Sequence, residues 1–218
     1  MSELIVWDEL THAEKMAIKA ISEHSFEGFL RCFFQITQGE RFKMNWHAKY
    51  LCRVIDEILE GKRKDTIINV APGSAKTELF SIHFPVYSMI KIKKVRNLSL
   101  SFSDSLVKRN SKRVRDLIKS KEFQELWPCK FGTCRDDEIQ VLDEDGKVRF
   151  ESISKAMAGQ VTGSRGGYMT DDYSGCIMLD DPLKPDDALS NVRREAVNML
   201  LKNTIRSRPA RSVQGRET

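Results

Sequence analysis

Lys76 and Thr77 stand side by side after a proline-glycine turn, in the run Ile67-Ile68-Asn69-Val70-Ala71-Pro72-Gly73-Ser74-Ala75-Lys76-Thr77-Glu78-Leu79. An ammonium next to a hydroxyl at the start of a helix suits a triphosphate. Backbone N–H groups of the loop and of the helix N-terminus face the phosphates, the lysine meets the β- and γ-oxygens, and the threonine hydroxyl ligates magnesium. On this reading Pro72, Gly73, Ser74, Ala75, Lys76 and Thr77 bind nucleotide. The pattern G-x-x-x-x-G-K-[ST] has glycine where this chain has Val70 and Ala75, so an ordinary lysine-threonine helix start after a turn remains the alternative. If position 75 needs a positive φ, its alanine strains the loop by about 1 kcal/mol.

A second constellation lies far downstream. Gly175-Cys176-Ile177-Met178-Leu179-Asp180-Asp181-Pro182 is an apolar strand that ends in two carboxylates. Asp180 is the candidate metal ligand with Thr77, and Asp181 the candidate to polarise an attacking water.

Positioning these groups requires alternating strands and helices. The β-branched residues 67–70 predict a strand, and residues 76–90 a helix that Pro85 should kink or end. Residues 95–102 read as the next strand. Ser103 is placed to cap a helix over 104–119, with Val107, Val114 and Leu117 as its buried seam. On another face of that helix lie Lys108, Lys112, Arg115 and Lys119, either a solvated surface or a DNA-phosphate contact. Residues 138–142 and 147–152 flank Asp143-Glu144-Asp145-Gly146 as a hairpin. Residues 158–167 are a polar, glycine-rich flexible loop around Arg165, and 187–206 a helix with Ala188, Val192, Ala196, Leu200 and Thr204 on its inner face.

Ahead of this core, residues 8–24 predict an amphipathic helix packing through Leu10, Ala13, Ala17, Ile18 and Ile21. An aromatic-rich helix follows over 26–36. A third covers 46–59, with Trp46, Tyr50, Leu51, Val54, Ile55 and Ile58 inward. The implied organisation is a helical element over 1–60, a core over 61–206 and a flexible tail over 207–218.

Taken together, Asn45-Trp46-His47, residues 68–79, Leu98-Ser99-Leu100-Ser101-Phe102-Ser103-Asp104-Ser105-Leu106, Val161-Thr162-Gly163-Ser164-Arg165 and residues 178–184 resemble the ATPase domain of tailed-phage large terminases. The resemblance implies an α/β P-loop NTPase of the ASCE type, a mainly parallel sheet flanked by helices. It implies ATP hydrolysis with Mg2+ and translocation of double-stranded DNA into a procapsid. Its partners would be further large subunits in a ring, the small terminase subunit and the portal. Arg165 sits where some terminases place an arginine finger acting on the neighbouring subunit; a structural role or a DNA contact is the alternative. In that family the region equivalent to residues 46–59 lies over the adenine, so His47 either faces nucleotide or is a cap or packing residue at the helix start; glutamate is common at the position of Asp181, and a basic residue is common where this chain has Gly73 or Ser74. Aspartate is a methylene shorter, withdrawing the carboxylate by roughly 1.5 Å. The family's next strand, inserted between the acidic strand and the phosphate-loop strand, and its nuclease domain are not legible here. The expectation is therefore an incomplete core, either a truncated chain that is marginal and aggregation-prone by itself or one half of a split product completed by a second polypeptide. The alternatives are a non-catalytic or fragmentary nucleotide-binding or assembly module, and an unrelated helicase-like P-loop ATPase.

Composition sets the bounds. The chain has 218 residues, 40% of them hydrophobic, which is enough for a packed core. It shows no long apolar run or export signal, so a cytoplasmic protein without membrane partner is expected. The five cysteines are odd in number and scattered, and read as reduced thiols. The net charge of +5 is uneven: residues 1–30 carry six acids and two lysines, whereas 91–121 carry eleven bases and two acids. Such a basic block favours a polyanion partner, and DNA is the natural one.

Overall fold

The computed structural model describes residues 4–157, 163–184, 187–203 and 205. The chain divides into two compact units, Met1–Lys93 with Lys112–Lys130, and Lys94–Ser111 with Phe131–Thr218.

The first unit is helical. After a 3-10 turn at Trp7–Glu9, α1 (His12–His24) starts at a reciprocal capping box. The Glu14 N–H donates to Thr11 Oγ1, and the Thr11 N–H donates to the Glu14 carboxylate. α2 (Phe26–Gln38) is capped by Ser25 and stops at Gly39, whose left-handed backbone (φ 69°) glycine adopts freely. α3 (Trp46–Leu59) is capped by Asn45, whose side chain accepts from the Ala48 N–H at 3.0 Å. Phe26, Phe29, Leu30 and Phe33 of α2 are fully buried, with Phe29 and Phe33 stacked at 4.9 Å between ring centres. Gly28 lets α1 and α2 touch, because a Cβ there would fall 2.3 Å from the Ile21 carbonyl oxygen.

Two inner faces differ from those predicted. In α1, Ala13, Ala17 and Ile21 are exposed; Ser22 is buried, and Lys15 and Lys19 lie over the rings of Trp7 and Trp127. Lysine stems cover the aromatic surface that an apolar stripe would otherwise have covered. In α3, Trp46 and Tyr50 point outward, while Leu51, Cys52, Val54, Ile55 and Leu59 pack inward with Ala48. A core already filled by the α2 rings has room for one stripe of α3, and the aliphatic one occupies it.

Residues 67–70, predicted as a strand, belong to no strand. Their β-branched side chains favour extended backbone, but a strand also needs a neighbour to hydrogen-bond with, and none of the described strands pairs with them. The expected long helix is present in two parts, a π-helix over Thr77–His83 and α4 (Phe84–Lys91). The Phe84 N–H reaches back to the Leu79 carbonyl, and Pro85, which has no N–H to donate, is the second residue of α4, at the change from π- to α-helix.

The second unit is an α/β arrangement built on an open, mixed five-stranded sheet in the order β2-β3-β4-β1-β5. The strands are β1 (Val95–Ser101), β2 (Lys130–Cys134), β3 (Glu138–Leu142), β4 (Val148–Ala156) and β5 (Ile177–Leu179). β1 runs parallel to β4, with Leu98 opposite Ile153, and to β5, with Leu98 opposite Ile177; β3 is antiparallel to β4. The sheet is thus mixed rather than mainly parallel, because the turn at Asp143–Gly146 is too short for a crossover. In that turn Gly146 has φ 77° and donates to the Asp143 carbonyl.

α5 (Asp104–Lys119) follows β1 and continues into the first unit, where α6 (Lys121–Leu126) succeeds it. Ser103 caps α5, and Val107, Val114 and Leu117 are buried hydrophobic residues of it, with Ile118 added. α7 (Asn191–Asn203) lies against the sheet through Val197, Leu200 and Leu201, which meet Leu98, Leu100, Met157 and Ile205. Val192 and Ala196, predicted on that face, are exposed. The helix begins at Asn191, after a 3-10 turn at Asp187–Leu189, and this break rotates the later residues relative to the earlier ones. Thr204, residues 158–162 with Val161 and Thr162, and the tail from 207 lie outside the described residues, as does the side chain of Ala188.

Candidate nucleotide site

The loop that precedes Lys76 is a tight turn. The Ser74 N–H donates to the Ala71 carbonyl at 3.2 Å, Gly73 takes φ 80°, and Ala75 takes φ 56°. From Ala75 the helix starts at once, with the Leu79 N–H on the Ala75 carbonyl at 3.0 Å. Pro72 and Gly73 are exposed, and Ser74, Ala75, Lys76 and Thr77 are half-buried. The alanine therefore holds the left-handed conformation normally left to glycine, at a cost of about 1 kcal/mol.

The first turn after Thr77 is tied into the unit by groups the sequence reading missed. Arg113 of α5 grips Glu78 with both guanidinium Nη atoms, Nη2 at 2.9 Å from Oε2. Glu78 and Arg113 are 14% and 26% exposed, so this fork is mostly withdrawn from water. Beside it, His83 is fully buried, stacked on Phe34 and edge-on to Phe29. Its Nδ1 is 2.9 Å from the Glu78 carbonyl, to which it donates; Nε2 has no hydrogen-bond partner of good geometry among the described residues. Burial pulls the His83 pKa below its ordinary value, against the opposing pull of Glu78. The one available signal was Glu78 itself, an acid directly after Lys76-Thr77.

Asp180, Asp181 and Arg165 belong to the second unit. As expected, the acidic pair ends an apolar strand: the Asp180 N–H donates to the Leu100 carbonyl at 2.9 Å, and the Asp181 carbonyl accepts from Phe102 at 3.1 Å. Asp181 then turns the chain with φ 45° into Pro182, its side chain exposed while that of Asp180 is half-buried. Ala75 and Asp181 are the only non-glycine residues with positive φ among those described.

β5 starts from a close-set loop. Gly175 passes so near β1 that a Cβ would lie 1.9 Å from the Arg96 carbonyl oxygen. The Arg96 N–H donates to Ser174, and the Gly167 N–H to the Arg96 carbonyl. The Arg96 guanidinium pairs with Glu151 and lies 4.4 Å from the centre of the Tyr168 ring, with Lys94 Nζ also at 4.4 Å. Arg165, expected in a flexible loop, is an exposed residue just before this anchored segment; Gly163 to Gly167 are the described part of that loop.

On α5, Lys108, Lys112 and Lys119 are exposed, and Lys108 is paired with Asp104 at 2.7 Å. Arg115 is only 17% exposed, so the open stripe is made of the three lysines. His47 is half-buried beside Trp46 at the capped start of α3. None of the five cysteines is in a disulfide, and burial pushes the Cys52 thiol up to about 12 and that of Cys176 up to about 11, which makes both poor nucleophiles. Among the described residues there is no group of three or more histidines, cysteines and carboxylates placed to hold a metal, and no helix is long and apolar enough to cross a membrane. Thr77 and Asp180 are hard oxygen donors, the type that magnesium accepts together with water and phosphate oxygens. Comparison with protein-family models and with curated proteins finds no match.

Proposed function

We propose that this chain is the ATPase portion of a viral DNA-packaging terminase, a P-loop enzyme that hydrolyses ATP with Mg2+ to move double-stranded DNA. One observation carries the proposal: the two left-handed non-glycine residues, Ala75 and Asp181, fall in the two motifs that nucleotide chemistry would use. Strained backbone of this kind collects at functional sites, where the surroundings hold it in place.

Lys76 then meets the β- and γ-phosphates, with the N–H groups of residues 73–77 around them. Thr77 and Asp180 would hold magnesium, which would supply charge neutralisation at the phosphate oxygens. Asp181 orients the attacking water and accepts its proton, and Arg165 supplies positive charge to the transferring group, acting on a neighbouring subunit of a ring. The lysine stripe of α5 meets DNA phosphates. Further large subunits, the small subunit and the portal would be its partners in the host cytoplasm.

A non-catalytic nucleotide-binding module is the second reading, favoured by the alanine at position 75 and the short carboxylate at 181. Phosphate release by wild type and Lys76→Ala, with and without duplex DNA, separates the two. Release that DNA stimulates and Lys76→Ala abolishes supports the enzyme. Calorimetric ATP-Mg2+ binding that Lys76→Ala removes, without turnover in the wild type, supports the module. Binding and release both unchanged in Lys76→Ala would take the site away from this loop.

A further inference from the structure

The outward face of α3 supplies none of the phosphate-binding, metal-holding or catalytic groups of the ATPase reading. Trp46 is 81% exposed and Tyr50 50% exposed, one helical turn apart on a helix whose inward stripe is already complete. Lys49 and Arg53 share this surface, and Lys43 precedes it; all three are exposed and have no charged or hydrogen-bonding partner among the described residues. Nearby acids are engaged elsewhere. Asp56 accepts from the Phe26 N–H and the Tyr87 hydroxyl, Glu57 pairs with Arg63, and Glu60 pairs with Lys62. The face therefore offers two exposed aromatic rings, Trp46 edge-on to His47 and Tyr50 beside Arg63, and uncompensated positive charge.

We propose that this face binds an unpaired strand of nucleic acid, with Trp46 and Tyr50 stacking on bases and Lys49 and Arg53 contacting phosphates. Exposed indole and phenol rings stack on any base whose face is open, and interleaved cations track the backbone. Four residues along a helix span about 6 Å, wider than the ~3.4 Å step between bases in a duplex strand. The rings suit bases drawn apart rather than base pairs already stacked. Charge complementarity selects a polyanion, and the aromatic pair selects one with accessible bases. The surface lies wholly within the first unit and stands independently of whether the chain hydrolyses ATP.

Fluorescence anisotropy of a labelled short oligothymidylate at low salt tests this. Wild type is expected to bind it, and the Trp46→Ala/Tyr50→Ala double variant to bind at least roughly tenfold more weakly, as loss of base stacking requires. Trp46→Phe/Tyr50→Phe, which keeps stacking surfaces, should retain most of the affinity. Lys49→Gln/Arg53→Gln should flatten the dependence of log affinity on log salt by roughly 1.4. Affinity for a duplex of the same length should not change in the alanine variant. Absence of oligothymidylate binding in wild type, or equal binding by the alanine variant, overturns the proposal. So does displacement of the oligonucleotide by ATP-Mg2+, which would assign the rings to the mononucleotide. Both alanines replace exposed side chains, and a matching thermal melt confirms that the variants fold.

Discussion

Replacing Arg113 by methionine should destabilise the first unit strongly, and most of the loss should come from the carboxylate left behind. The Arg113–Glu78 fork is bidentate and mostly buried. Two unit charges 3 Å apart attract by roughly 5 kcal/mol at an effective dielectric of about 20, but most of that offsets desolvation. Removing one member of a buried pair costs about 3–5 kcal/mol, because the other charge stays unpaired. Residual exposure of the pair puts the expectation for Arg113→Met at about 3 kcal/mol, a fall in Tm of roughly 6–12 °C for a chain of this size. If the stranded charge is the cause, Arg113→Met/Glu78→Gln should be less destabilised than the sum of the single variants by about 1–3 kcal/mol. Urea denaturation followed by circular dichroism gives all four corners of the cycle. A loss below about 1 kcal/mol in Arg113→Met, or additivity within about 0.5 kcal/mol in the double variant, would refute this account of the fork.

Ala75→Gly should remove backbone strain and raise stability by about 0.5 kcal/mol, the strain relieved less the added flexibility of the unfolded chain; a clear loss in a denaturant titration would show that the alanine methyl packs productively. Gly175→Ala should be severe, since its Cβ would fall within the Arg96 carbonyl at a φ of 132°; a soluble variant with wild-type Tm would contradict that close approach. His83 should make the fold acid-sensitive. Its folded pKa lies below the ordinary 6.5, so its contribution is complete above 6.5 and is lost as pH falls from there toward the folded pKa. His83→Gln should lessen the fall in Tm over that range, and an unchanged pH–Tm curve would assign the sensitivity elsewhere.

Local signals were read well from the sequence, and orientation was not. Ser103 and the Asp143–Gly146 turn are where their hydrogen-bonding chemistry puts them, and the 107/114/117 seam of α5 is buried. Helix faces failed where apolar residues outnumbered the space available. On α3, Trp46 and Tyr50 lost the inward position to the aliphatic stripe, and on α1 lysine stems covered the tryptophans. Residues 67–70 failed for a different reason: β-branching is a local preference, and a ladder needs a partner strand that composition does not encode. The Arg113–Glu78 fork joins residues 35 apart in sequence, a pairing no local pattern announces.

The loop and the acidic turn share one physical feature that the sequence flagged only at position 75. At Asp181 the left-handed backbone is held from both sides: Asp180 and Asp181 are hydrogen-bonded to Leu100 and Phe102 of the neighbouring chain segment, and Pro182 follows immediately. Proline pushes the residue before it toward extended backbone, so the φ of 45° at Asp181 is held against that preference by the two hydrogen bonds. At Ala75 the restraint is the helix that begins with its own carbonyl, fixed further along by the Glu78–Arg113 fork. Each position costs about 1–2 kcal/mol, against a typical total stability of about 5–15 kcal/mol. Neither would persist without such restraints. The fork is therefore as much a part of the loop as Lys76: weakening Arg113 should loosen the turn that presents Lys76 and Thr77 before it unfolds the helices beneath.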